Sequence, residues 1–434
     1  MKRTDKSDRE VLAFLFGAGI SCKAKLPDTN TITQRILGGS RMHRLETNED
    51  RGRYRLGKCP KSSRDSSSGC LERVLTLLKV IKTEADIYYF GQREANYEDL
   101  YFILEQARNS LTFREDNAVA NYYAKHLELT IGHLLGDRHA DAVGKQEFPP
   151  SRKTPFRDSV STVNGLLLEC CNYVRDVVSA MVNPKPKADL SYFRWLSDAV
   201  ADGDSGQKIF FTLNYDTLVE RYFRSPAAKG LLRSGMKLTD GFGPLVESEG
   251  VSYFDSKLFD ESTCPQLIKL HGSLDWIWNA SAGQAASNPL KMLKVMKPDI
   301  AGEKFKLDNP LILVGTHNKP TYYSGPLFVE QHLRFHTVLK KSSRLVVCGY
   351  SFGDNAINTR VFYWLDQNRS NRACVVHPKP EDCISSARPA AAHFLKQFQE
   401  SGQIEFVSKK MECVQWRCLK KRLALLDVAG QGLL

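Results

Sequence analysis

The chain has 434 residues, 42% apolar and 25% charged, and a net charge of +12. Those values fit a globular protein with one or two cores and exclude disordered and collagen-like chains. No run approaches the ~20 apolar residues that span a bilayer, and the charged stretch 1–10 leads into no signal-peptide core, so a cytoplasmic location without a membrane partner is expected.

The eleven cysteines contain no C-x-x-C pair, so a zinc ribbon is not expected. Most are read as free thiols, and Cys170, Cys348 and Cys374 lie in apolar runs. The basic surplus suits a dinucleotide, a nucleic acid or an acidic protein. The basic clusters at 51–64 and 420–422 lack the interleaved aromatics of a single-strand groove and are read as solvated faces, leaving direct nucleic-acid binding open.

In chain order, 11–16 is an apolar run that reads as a buried strand, ending in Gly17-Ala18-Gly19 with Ser21 just beyond. Strand, glycine turn and helix together present backbone N–H groups to a phosphate. Cys22 stands where the third glycine of G-x-G-x-x-G would be, so on this stretch alone a ligand site and a plain tight turn are equally good readings. Cys22 itself is read as a small buried residue. Residues 38–68 are polar and basic and read as a long loop. Helical spacing follows at 71–89, after Asn96 as an N-cap with Glu98 and Asp99 in the first turn, at 117–135, at 158–181 and at 190–200. The domain reading is a core of 1–38 and 205–434 with a mostly helical insertion, 39–204, carrying a flexible basic loop near 39–69.

Beyond the insertion, short apolar strands recur and end in polar or glycine residues. Residues 208–213 run into Asn214-Tyr215-Asp216, 266–270 into His271-Gly272-Ser273, and 310–314 into Gly315. Residues 344–348 run into Gly349-Tyr350-Ser351 and 373–376 into His377, and 404–407 is the last strand. Residues 230–262 read as an irregular connection. Strands alternating with helices imply an α/β fold, a Rossmann-like parallel sheet with helices on both faces and the large insertion as an addition. Ligands bind such sheets beyond the carboxyl ends of the strands, so the glycine turn, Asn214, His271 and Gly349 should meet at one crevice.

These segments resemble the sirtuin family. Gly17-Ala18-Gly19-Ile20-Ser21 followed by Leu26-Pro27-Asp28 is similar to its Gly-Ala-Gly-Ile-Ser…Ile-Pro-Asp signature. Thr212 to Asp216 is similar to its Thr-Gln-Asn-Ile-Asp, Lys269 to Ser273 to its catalytic His-Gly strand end, and Gly349-Tyr350-Ser351 to its Gly-Thr-Ser loop. Thr29-Asn30 replaces the Phe-Arg of the deacylases, the four zinc cysteines are absent, and His377 replaces the asparagine that holds the adenosine ribose. With Asn96-Tyr-Glu-Asp-Leu and Gly349-Tyr-Ser-Phe-Gly-Asp-Asn-Ala-Ile-Asn, the chain resembles the divergent sirtuin-like effectors of bacterial antiphage defence.

That resemblance implies an NAD hydrolase that kills the infected cell by NAD depletion, often as a homo-oligomer with a HerA-type ATPase or another phage sensor. It implies NAD as substrate, no zinc, and Asn214 and His271 as catalytic residues. Asn214 would orient a water and the ribose hydroxyls, and His271 would take a proton. NAD binding would fall to Gly17, Ala18, Gly19, Ser21, Asp28, Asp216, Gly349, Ser351 and His377. Taken singly, Asp216 reads equally well as a helix cap, as does Asp354. Tyr350 and Phe352 read as packing or adenine-side residues, and His317 as a surface-loop residue. The alternatives are an NAD-dependent deacylase and a non-catalytic subunit that binds NAD or ADP-ribose.

Overall fold

The computed structural model describes residues 11–45, 52–57, 68–111, 163–202, 206–231, 236–278, 292–304, 310–315 and 326–431. The helix expected at 117–135 and His317 lie outside them. The chain divides into two compact units, one of Met1–Leu26, Asn183–Leu313 and Pro320–Leu434, the other of Pro27–Val182 and Val314–Lys319. The described strands are β1 (Val11–Phe16), β2 (Met42–Leu45), β3 (Arg53–Leu56), β4 (Gln207–Thr212), β5 (Val251–Tyr253), β6 (Gln266–Lys269), β7 (Trp276–Trp278), β8 (Met292–Val295), β9 (Arg344–Cys348), β10 (Arg372–Val376) and β11 (Ile404–Val407).

In the first unit six strands form one parallel sheet in the order β11-β10-β9-β1-β4-β6. From β1 the chain moves outward to β4 and β6, then returns to the other side of β1 for β9, β10 and β11, so the switch point lies between β1 and β9. One row of paired residues crosses the whole carboxyl edge: Lys269, Thr212, Phe16, Cys348, Val376 and Val407. Burial on both faces explains why β1 is apolar throughout. Leu12, Phe14 and Phe16 pack into one core with the helices Arg194–Ala201, Leu218–Arg224 and Trp416–Gln431. Val11, Ala13 and Leu15 pack into the other with Pro326–Lys341, Asn355–Gln367 and Pro389–Glu400. Cys348 and Cys374 are core residues, and burial pushes their thiols up, Cys374 to about 12.

Two local expectations change here. The stretch 310–314 is not a strand of the main sheet. Among the described residues it forms a bridge between Ile312 and Gly272, with Ser273 N–H donating to Leu311 O (2.9 Å), Leu313 N–H to His271 O (2.9 Å) and Leu311 N–H to Trp276 O (2.7 Å). These backbone partners are the loop after β6 and the first residue of β7. The irregular region 230–262 contains β5, which joins β8 and β7 in a small antiparallel sheet.

The second unit holds the helices Thr29–Gly38, Ser68–Tyr88, Tyr97–Leu111 and Val163–Met181, the last beginning within the span expected at 158–181. Apolar residues at helical spacing build its core, among them Val74, Leu77, Leu78 and Ile81 against Leu166, Cys170, Val174 and Val177. The expected long loop after residue 38 instead contains an antiparallel pair, β2 with β3. Its polarity misleads because two of its arginines, half-buried, are partners of buried acids. Arg44 Nε donates to Glu169 (2.7 Å), Arg53 grips Asp176 (2.6 Å), and Tyr54 donates to both acids through its hydroxyl and backbone N–H. Breaking either buried pair would strand a charge at a cost of about 3–5 kcal/mol.

Candidate functional site

At the switch point two strand-end loops meet backbone to backbone. Gly17 N–H donates to Cys348 O (3.0 Å) and Gly19 N–H to Gly349 O (2.8 Å). A Cβ on Gly17 would lie 2.6 Å from Gly349 O, and one on Gly19 would lie 2.7 Å from Gly349 Cα. Gly349 is left-handed, with φ of 64°, and its Cβ would lie 2.5 Å from Ile20 N. The spacing Gly17-x-Gly19 is thus required by close packing against the β9 loop. Ala18 is exposed at the start of a short 3₁₀ turn, Ala18–Ala24. Cys22, expected to be buried, is exposed, because the 3₁₀ turn buries Ile20, Ser21 and Ala24 instead.

The loops after β4 and β6 are joined by side chains. Asn214 Nδ2 donates to Gly17 O (3.1 Å) and Ser21 Oγ (3.1 Å). Both amide hydrogens are thereby used, and the Asn214 carbonyl oxygen is the acceptor left on that side chain. Ser21 is buried and donates its hydroxyl to Asp216 Oδ2 (2.7 Å), so the donor assigned to phosphate or ribose from the sequence is committed inside the protein. Asp216 Oδ1 accepts from Leu218 N–H (3.0 Å), taking up the first backbone donor of the helix Leu218–Arg224, whose N-cap position is Thr217. Lys269 reaches across from the end of β6, donating to the Asp216 carbonyl and pairing with Glu220 (3.2 Å), and both charged side chains are buried. Leu274 N–H donates to Tyr215 O (3.0 Å), closing the same two loops through the main chain.

His271 follows Lys269 by two residues, as Asn214 follows Thr212, and Thr212 and Lys269 are paired across neighbouring strands. Adjacent strands lie ~4.8 Å apart, so the two residues follow neighbouring strand ends. His271 Nε2 lies 3.1 Å from Asp354 Oδ2, with the two side chains 4% and 8% exposed. The other Asp354 oxygen caps the helix Asn355–Gln367, accepting from Ile357 N–H (3.0 Å). Behind the β6 end, His332 of the helix Pro326–Lys341 bonds to the Leu270 carbonyl through Nε2 (3.1 Å). Burial, then the nearness of His271 and Arg360, pushes the His332 imidazole down to about 3.

The remaining sequence candidates divide. Ser351 is exposed just past Gly349. His377 follows β10 at the same edge, half-buried, with N–H to Val407 O (3.1 Å) and ring Nδ1 2.6 Å from Lys379 O. Asp28 belongs to the second unit, where it caps the helix Thr29–Gly38 by accepting from Thr31 N–H (2.7 Å). Tyr350 and Phe352 are core residues. The sequence reading missed Lys269 and His332 and gave Asp354 only the cap. A cap signal exists for Asp354 locally, but nothing in the local pattern ties any of the three to Asn214 or His271.

Two grooves also occur among the described residues, the first including Asn355 and Asn358 and the second Tyr192 in its lining. One, of about 280 Å³, is lined by Phe362, Tyr363 and Phe394, and the other, of about 480 Å³, by Trp195, Gln415 and Trp416. Among the described residues no helix is long and apolar enough to cross a membrane, and no group of three His, Cys, Asp or Glu side chains is placed to hold a metal ion.

No curated protein matches the chain. Residues 208–402 match the family model of a SIR2-like domain. The match starts in β4 and takes in the loops carrying Asn214, His271, Gly349 and Asp354, while β1 and its glycine turn lie outside it. The chain is similar to a SIR2-like domain across that region, which supports a sirtuin-like, NAD-related protein.

Proposed function

We propose that the protein is an NAD hydrolase that cleaves the bond between nicotinamide and ribose C1′. In this reaction the C1′–N bond breaks, its electron pair leaves with nicotinamide, and a water oxygen bonds to C1′. The products are ADP-ribose, nicotinamide and one proton. The transition state is oxocarbenium-like, so the enzyme must hold the ribose, place the water and accept its proton. In this reading the Asn214 carbonyl oxygen accepts a hydrogen bond from the water or a ribose hydroxyl. His271 takes the proton, help worth ~10²–10⁴ in rate. The backbone at Ala18 and the exposed Ser351 hydroxyl would face the pyrophosphate and ribose, the Gly19 N–H being committed to Gly349 O. What supports the reading is the fixed orientation of the Asn214 amide, at the end of a strand paired with the one that leads to His271.

The wider role follows from the resemblance: an antiphage effector that depletes NAD, acting as a homo-oligomer with an ATPase or other sensor partner. The test is chromatographic measurement of nicotinamide and ADP-ribose released from NAD by the purified protein. Asn214→Ala and His271→Ala should each lower kcat by ~10²–10⁴. Turnover unchanged in both variants would overturn the assignment, and acyl-peptide cleavage dependent on NAD would replace it with a deacylase.

A further inference from the structure

We infer that Asp354 is a positioning residue for His271, holding its imidazole in one orientation and one tautomer. The inference rests on the hydrolase reading for its catalytic consequence, but its geometry stands independently. The two oxygens of Asp354 do different jobs. Oδ1 accepts from Ile357 N–H (3.0 Å), which fixes the carboxylate at the start of the helix Asn355–Gln367. Oδ2 faces His271 Nε2 at 3.1 Å. A carboxylate only accepts, so the neutral imidazole carries its hydrogen on Nε2, and Nδ1 is its basic nitrogen.

The loop before Asp354 is built to keep it there. Asp354 N–H donates to the Tyr350 hydroxyl (3.2 Å), which also lies within bonding reach of Asp354 O (3.0 Å) and Asn358 Oδ1 (2.7 Å). Asn358 Nδ2 returns to Phe352 O (2.7 Å). Phe352 is a buried residue in the left-handed region, with φ of 55°. A buried aromatic side chain persists there only where its surroundings over-determine it. Tyr350, Phe352, Asp354 and Asn358, which the sequence shows only as a motif, thus form one closed structure around the acid. His332 holds the Leu270 carbonyl (3.1 Å), directly before His271.

Asparagine caps helices as well as aspartate does, so Asp354→Asn separates the cap from the imidazole contact. Its Oδ1 would still accept from Ile357 N–H, while its amide would donate toward Nε2 and drive the hydrogen to Nδ1. The experiment is ¹⁵N NMR of the full-length protein labelled at histidine, with His271→Gln identifying the signals. Wild type should show His271 as the Nε2–H tautomer, and Asp354→Asn should show it as Nδ1–H. NAD turnover should fall by ~10²–10⁴ in kcat with KM changed less than threefold, and the thermal midpoint should stay within a few degrees. Asp354→Ser, which keeps a cap but cannot reach the imidazole, should lose the tautomer preference. Unchanged His271 signals in both variants would overturn the inference. A tautomer change in a protein that never releases nicotinamide would leave it standing and remove the hydrolase reading instead.

Discussion

The two sides of the carboxyl edge are held together in different ways. Between β1 and β9 the loops touch through bare main chain, with Gly17, Gly19 and Gly349 in van der Waals contact. The loops after β4 and β6 are tied by side chains instead: Asn214, Ser21, Asp216, Lys269 and Glu220 form one network that reaches the turn after β1, and His271 contacts Asp354 beyond β9. The first arrangement tolerates no added atom. The second tolerates changes of size but no loss of a polar partner. The glycine side sets the distance between loops, and the polar side sets the orientation of the groups that chemistry would use.

The polar side should break hardest at Lys269. Lys269→Met leaves Glu220 buried without its cation, and a stranded buried charge costs about 3–5 kcal/mol. Urea unfolding should show that loss, whereas Glu220→Gln combined with Lys269→Met should recover part of it. Recovery of nothing would mean that the bond to the Asp216 carbonyl, rather than the ion pair, is what matters.

The glycine side should break sterically. Gly349→Ala places a Cβ 2.5 Å from Ile20 N in a left-handed backbone, for a cost of about 3 kcal/mol. Gly353, which has only the Ser351 hydroxyl near its Cβ position at 3.9 Å, should accept alanine at under 1 kcal/mol. Equal losses at both positions would contradict a role for close packing.

The smallest effect concerns pH. Unfolding returns the His332 imidazole from about 3 to its ordinary 6.5, so the unfolded chain takes up its proton first. Stability from this group is complete above pH 6.5 and falls as pH drops toward 3. Between pH 6.5 and 5 it accounts for about 2 kcal/mol, using ~1.4 kcal/mol per pH unit. His332→Gln should therefore flatten the stability profile between pH 6.5 and 5 by that amount, read by denaturant titration at each pH. A variant with the wild-type slope would show that His332 titrates normally in the folded state.

Much of the edge was legible in the chain. β1, β4, β6, β9, β10 and β11 are apolar runs that end in glycine or polar residues, and alternation with helices implies a parallel sheet whose carboxyl ends share one edge. Asn214 and His271 stood out because each follows such a run directly. The hairpin β2–β3 was hidden because Arg44 and Arg53 look solvated until Glu169 and Asp176 are brought beside them. The stretch 310–314 has a strand's composition, but its partners are the loop after β6 and the start of β7 rather than a strand of the main sheet, and pairing partners are not written in local pattern.

Local sequence thus settles where strands run and where they stop, because burial on both faces of a parallel sheet demands unbroken apolar runs and turns demand glycine or polar residues. It does not settle which polar groups face each other. That Ser21 gives its hydrogen to Asp216, that Lys269 lies under Asp216, and that Asp354 faces His271 follow from the crossing of segments far apart in the chain. Hydrogen bonds act over about 3 Å, and only the folded backbone brings such groups within that range.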